Sequence, residues 1–141
     1  MNKLFLSFVF LTTLLFSSCF EKTELKEYKS RYLEPSATGI VNLSQLWKGS
    51  EMKLEINIGN GIKNIWILND HKVLNEINVF DRFVKEKNTN KCMIVRNDSV
   101  FHFDCLSLDF LVNESRDSLK DIKQWDRKLI NFWKLKSELN Q

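Results

Sequence analysis

An α+β fold is predicted: a small, mostly antiparallel sheet of four to six strands packed on a C-terminal amphipathic helix. Three observations predict it. Residues 52–58 alternate strictly, with Met52, Leu54, Ile56 and Ile58 on one face and Lys53, Glu55 and Asn57 on the other. A second β-rich pair, 92–95 and 100–112, flanks Asn97 and Asp98. From about Asp117 to Leu139, apolar residues recur at helical spacing. The alternative is a small β-barrel carrying the same terminal helix.

The chain opens MNKLFLSFVFLTTLLFSSC, with Lys3 in a short basic region, an apolar run from Leu4 to Phe16, and Ser17-Ser18 before Cys19. This is the plan of an export signal, and the run is shorter than the roughly 20 residues needed to span a bilayer. Leu15-Phe16-Ser17-Ser18-Cys19 resembles the lipobox of the bacterial lipoproteins, with Phe16 where Leu, Val or Ile is usual. The resemblance covers these 19 residues alone. It implies removal of residues 1–18, acylation of Cys19 and attachment to the membrane through that lipid. Phe20 follows the Cys where an acid could signal inner-membrane retention, which implies the outer membrane of the cell envelope.

Residues 19–37 mix acids and bases, hold the single proline, Pro35, and lack a sustained apolar face, so they read as the lipidated Cys and its tether. Fully extended, such a tether reaches about 60 Å. Residues 38–141 then form one globular domain. Gly39–Leu43 and Leu46–Trp47 read as a short edge strand or turn. Gly59-Asn60-Gly61 supplies residues that tolerate positive φ, so 51–68 reads as a hairpin with Ile62–Leu68 as its second strand.

In residues 70–87, Val73, Leu74, Ile77, Phe80 and Val84 follow helical spacing behind Asp70 as N-cap, which predicts a helix over 72–87, with strand as the alternative. Residues 91–112 read as a second hairpin. Phe101, Phe103 and Cys105 share one face, whereas Leu106, Leu108, Phe110 and Val112 have the opposite parity, so the strand must break near Cys105 and Leu106. In the C-terminal segment Leu119, Ile122, Trp125, Leu129, Ile130, Phe132 and Trp133 make a broad apolar arc, capped by Ser115 or Ser118. Lys120, Lys123, Arg127 and Lys134 gather opposite.

Charge and motifs narrow the function. With 21 basic against 18 acidic residues, a net charge of +3 is too weak to predict a nucleic-acid partner. With Cys19 lipidated, Cys92 and Cys105 remain as a pair in an oxidising compartment, and a disulfide between them is expected. His102 and Cys105 point to opposite faces of a strand, so no metal site is expected. His71 beside Asp70 and His102 beside Asp104 read as solvated residues. Gly-x-Ser-x-Gly, a phosphate-cradling glycine loop and His-Glu-x-x-His do not occur, so neither an enzyme nor a cofactor is expected.

The function predicted is that of a non-enzymatic, lipid-anchored envelope protein that binds a protein partner, in an inhibitor, immunity or exclusion role or as an accessory subunit. Lys123, Arg127 and Lys134 would steer an acidic partner toward Phe132 and Leu135 as apolar anchors. The alternative is a lipocalin-like carrier of a small apolar ligand.

Overall fold

The alternation at 52–58 becomes one arm of a hairpin in a seven-stranded sheet. The structure, a computed structural model, describes residues 24–139; Cys19 and the expected export signal lie outside the described residues. In chain order come β1 (Ala37–Leu46), β2 (Glu51–Asn57), β3 (Ile62–Leu68), α1 (His71–Leu74), β4 (Arg82–Lys85), β5 (Lys91–Arg96), β6 (Ser99–Asp104), α2 (Asn113–Leu119) and β7 (Trp133–Leu135). The sheet order is β3-β2-β1-β4-β5-β6-β7, with every ladder antiparallel.

Both predicted hairpins are present. β2 and β3 pair from Glu51 opposite Leu68 to Asn57 opposite Ile62. β5 and β6 turn through Asn97 and Asp98, with Asn97 at φ 53°. β6 ends at Asp104, where the parity change required a break. β1 is longer than expected and central, not an edge: it pairs with β2 on one side and β4 on the other, with an irregularity between Val41 and Leu43. Gly39 permits this packing, since a Cβ there would run into the Asn57 carbonyl.

The sheet is not closed into a barrel, which corrects the alternative architecture. β3 instead meets the segment that follows β6 at one corner. There Leu68 donates its N–H to the Cys105 carbonyl (2.8 Å) and accepts from Ser107 N–H (2.7 Å).

Two apolar clusters hold the layers. The larger gathers Leu54, Ile56, Ile65, Ile67, Phe83, Ile94, Phe101 and Phe103 on one sheet face, capped by Val73, Leu74 and Ile77. The smaller packs Tyr32, Leu33, Leu106, Leu111 and Leu119 against Trp66 and Leu68, the other face of β3. The run Ile65-Trp66-Ile67-Leu68 is apolar on both parities because it has a core on each side.

Two predicted helices need correction. Within 72–87 only α1 is helical; Val73, Leu74 and Ile77 are buried, but the chain then turns into β4 and leaves Phe80 exposed. Of the C-terminal helix expected from about Asp117 to Leu139, only the start and a 3-10 turn at Lys136–Glu138 are helical. α2 ends at Leu119, and the chain continues as an irregular strap before β7. The strap lies over the outer face of β5 and β6: Asn90 N–H donates to the Lys123 carbonyl (2.9 Å), and Trp125 Nε1 donates to the Cys92 carbonyl (2.9 Å). β7 then covers the free edge of β6, satisfying backbone groups that a helix would leave unpaired.

Part of the expected tether is also folded. Residues 24–28 are helical and continue as a π turn over Lys29–Leu33. Tyr32 and Leu33 are buried, Tyr32 Oη donates to Glu51, and Arg31 pairs with Glu51 (2.9 Å) while its guanidinium lies 4.0 Å from the Trp66 ring centre.

Lys85 completes this attachment. Its ammonium, in a side chain 2% exposed, donates to the carbonyls of Leu33 (3.1 Å), Thr89 (2.9 Å) and Glu86 (3.4 Å). Burial lowers its pKa from 10.5 to about 8, with Glu86 opposing weakly. Between those values the unfolded chain binds more protons than the folded one, so stability should rise with pH. Above about 10 the Tyr32 phenol acts in the opposite sense, because burial first and its bond to Glu51 second hold it protonated. Urea titrations should therefore show a gain on the order of 2 kcal/mol from pH 8 to 10. Lys85→Met should abolish that gain; a flat wild-type profile would contradict the arrangement.

Candidate functional site

The structure disperses the residues expected to form one helical face. Lys123 and Arg127 are exposed along the strap, and Phe132 (65% exposed) precedes β7. In β7, Lys134 opposes Val100 and Leu135 opposes Ser99, so these two point to opposite faces. Arg127 and Phe132 both line a cleft below the strap. Trp125, read as helix core, instead covers His102 edge-on at 4.3 Å between ring centres.

The most unusual surface feature lies in the loop between α1 and β4. Phe80 has φ 74°, a left-handed conformation that bulky side chains avoid, and is 82% exposed. Neither the strain nor the exposure favours folding. The loop is nevertheless held firmly. Phe80 N–H donates to the Val41 carbonyl (2.8 Å), and Val41 N–H donates back to the Asp81 carbonyl (2.9 Å). These bonds occupy the point at which β1 becomes irregular.

Asp81 anchors the loop from beneath. Its buried carboxylate accepts Arg96 Nε and an Arg96 terminal nitrogen, both at 2.8 Å, as well as Asn78 N–H at 2.9 Å. Arg96 also donates to the Glu76 carbonyl (2.7 Å) and lies 4.7 Å from the centre of the Trp133 ring, whose Nε1 donates to Glu76 (2.8 Å). The hydrogen bonds that Arg96 donates to Asp81 hold the guanidinium pKa above its usual value. The loop is thus bolted to β1, β5 and β7.

Around Phe80 the surface is apolar and then positive. Ile40 (42% exposed) and Val79 (38%) adjoin it, beside a groove of about 550 Å³ rimmed by Arg82 and Lys136. The acid lining that groove is Asp81, already committed to Arg96. Sequence reasoning counted Phe80 as a core position because it fitted helical spacing. The available signal was Asn78-Val79-Phe80-Asp81, a turn pattern with Asn and Asp three residues apart.

A second locus lies on the outer face of β6. His102 is 4% exposed rather than solvated, its Nδ1 has no partner among the described residues, and its pKa is lowered by burial first and then by Lys134 and Lys91. Asp104 is also withdrawn from water: burial raises its pKa to about 6, opposed by the Trp125 backbone N–H. Among the described residues, no group of three or more His, Cys, Asp or Glu side chains is arranged to hold a metal ion.

No family model matches the chain, and no curated protein or solved structure matches it.

Proposed function

We propose that the protein is a non-enzymatic, lipid-anchored component of the cell envelope, at the outer membrane, that binds a protein partner through the Phe80 surface. The observation that carries this reading is an exposed aromatic side chain held in a strained conformation by an ion pair whose carboxylate is buried. Strain of this kind costs about 1 kcal/mol or more and persists where the surroundings impose it. Binding energy concentrates in aromatic anchors that are ordered before contact, because less entropy is lost on association. Ile40 and Val79 extend the apolar area, and Arg82 and Lys136 complement a partner with an acidic rim. An inhibitory, immunity or exclusion role, or that of an accessory subunit, fits this surface equally well.

The carrier alternative is less well supported. Its cavity would lie inside the curved sheet, where Ile56, Phe83, Ile94 and Phe103 pack against one another with no exposure.

Phe80→Gly separates binding from folding. Glycine adopts positive φ without steric cost, so stability should stay within about 1 kcal/mol of the parent. Cross-linking in intact envelopes should capture a partner with the parent chain, and affinity for that partner should fall at least 30-fold in the variant, as for a lost hot spot of about 2 kcal/mol. Intact mass of the same preparation should give a mature chain beginning at acylated Cys19. Unchanged partner affinity in Phe80→Gly, or an unmodified N-terminus, would refute the corresponding half of the proposal.

A further inference from the structure

The strap and the corner that follows β6 enclose a cleft of about 530 Å³, well separated in kind from the apolar Phe80 surface. Asp104 contributes to its floor, Trp125 and Phe132 are aromatic walls, and Gln124, Asn131 and Arg127 complete the strap side. Its volume falls within the range of small-molecule sites.

Three features of the lining lack an internal purpose. The Asp104 carboxyl accepts from the Trp125 backbone N–H, but its Oδ1 is buried and has no hydrogen-bond partner among the described residues. A carboxylate oxygen left this way is costly unless a donor reaches the group. Arg127 is exposed and forms no ion pair among the described residues, with Asp104 or any other acid. The amides of Gln124 and Asn131 likewise make no side-chain hydrogen bond there, and Asn131 is held at φ 63°.

The other charges nearby are already engaged or directed elsewhere. Lys91, opposite Asp104 in the ladder, lies 4.6 Å from the centre of the Trp125 ring. Asp109 is 95% exposed and reaches toward Arg116 at 3.9 Å. His102 is held below its ordinary pKa by burial first and then by Lys134 and Lys91, which disfavours its charged form.

A carboxyl and a guanidinium that line one cleft without pairing leave both charges open to a ligand. We propose that this cleft binds a small zwitterion, whose ammonium donates to Asp104 and whose anionic oxygens accept from Arg127, with its carbon chain between Trp125 and Phe132. An ammonium beside a carboxylate and an aromatic face gains from both. A lone cation would meet Arg127, and a lone anion would meet Asp104. This chemistry is shared by free amino acids and by an ethanolamine phosphate headgroup of a lipid. The inference stands independently of the Phe80 surface.

The test is calorimetric titration of the exported protein, in mild detergent at pH 7.5, with β-alanine and O-phosphoethanolamine as probes and methylamine and acetate as singly charged controls. At least one zwitterion should bind saturably and at least tenfold more tightly than either control. Tighter binding of phosphoethanolamine assigns the lipid headgroup as source, and tighter binding of β-alanine assigns the free amino acid. Asp104→Asn and Arg127→Gln should each weaken binding at least tenfold, and affinity should decline as pH falls through about 6, where Asp104 takes up a proton. Arg127 is exposed, so its variant keeps the test decisive if Asp104→Asn fails to fold. Absence of saturable zwitterion binding, equal binding of a control, or full affinity in Arg127→Gln would overturn the proposal.

Discussion

Replacing Arg96 with Met should destabilise the domain by about 3 kcal/mol, the largest effect expected of any single surface-reaching side chain. The guanidinium is partly exposed, but the carboxylate it neutralises is 4% exposed. Without Arg96, Asp81 keeps Asn78 N–H as its donor and otherwise stands as an uncompensated buried charge. The Glu76 carbonyl and the Trp133 face lose their cation at the same time. Urea unfolding measures the loss. Addition of Asp81→Asn to the Arg96 variant should recover about 1–2 kcal/mol, because the stranded charge disappears. Loss of less than about 1 kcal/mol in the single variant would mean that the pair does not anchor the loop.

Removal of the Cys92–Cys105 disulfide should cost a similar amount, about 3 kcal/mol for a loop of this length. The two Cα atoms are 5.3 Å apart, and both cysteines are fully buried. In the β5–β6 ladder Cys92 faces Phe103, so Cys105 is its diagonal neighbour just beyond the end of β6. The bridge therefore ties the chain where it leaves the sheet toward Leu106, at the corner shared with β3. Cys92→Ala with Cys105→Ala should lower the urea midpoint accordingly, and the native exported protein should resist alkylation until it is reduced. Ready labelling of both thiols would contradict the bridge.

Strong local patterns survived folding, and patterns that required a distant partner did not. Met52, Leu54 and Ile56 announced β2 because one face of that strand is buried and the other is not. The parity change after Cys105 located the end of β6, since no strand can satisfy both sets of residues. The helical spacing from Leu119 to Trp133 was real but misleading. Leu119 and Ile122 serve the smaller cluster, Trp125 covers β6, and Trp133 reaches the larger cluster, so one spacing is divided among three destinations. Helix propensity is worth tenths of a kcal/mol per residue and yields to such packing. The free edge of β6, which decided the outcome, cannot be seen from within the segment. At the candidate site, Phe80 was legible as an apolar residue but not as an exposed one. Its position depends on Arg96 and Val41, which lie 16 and 39 residues away.

The folded N-terminal segment has a consequence for the range over which the domain can act. With lipid on Cys19, five residue steps separate the anchor from Glu24, where the described helix begins. At full extension they measure about 17 Å, not the 60 Å of an unfolded tether. Such an anchor would moor the domain beside the bilayer and make its encounters largely two-dimensional. A partner embedded in the same leaflet meets it at high effective concentration, whereas one that stays farther out must come to the surface to be found.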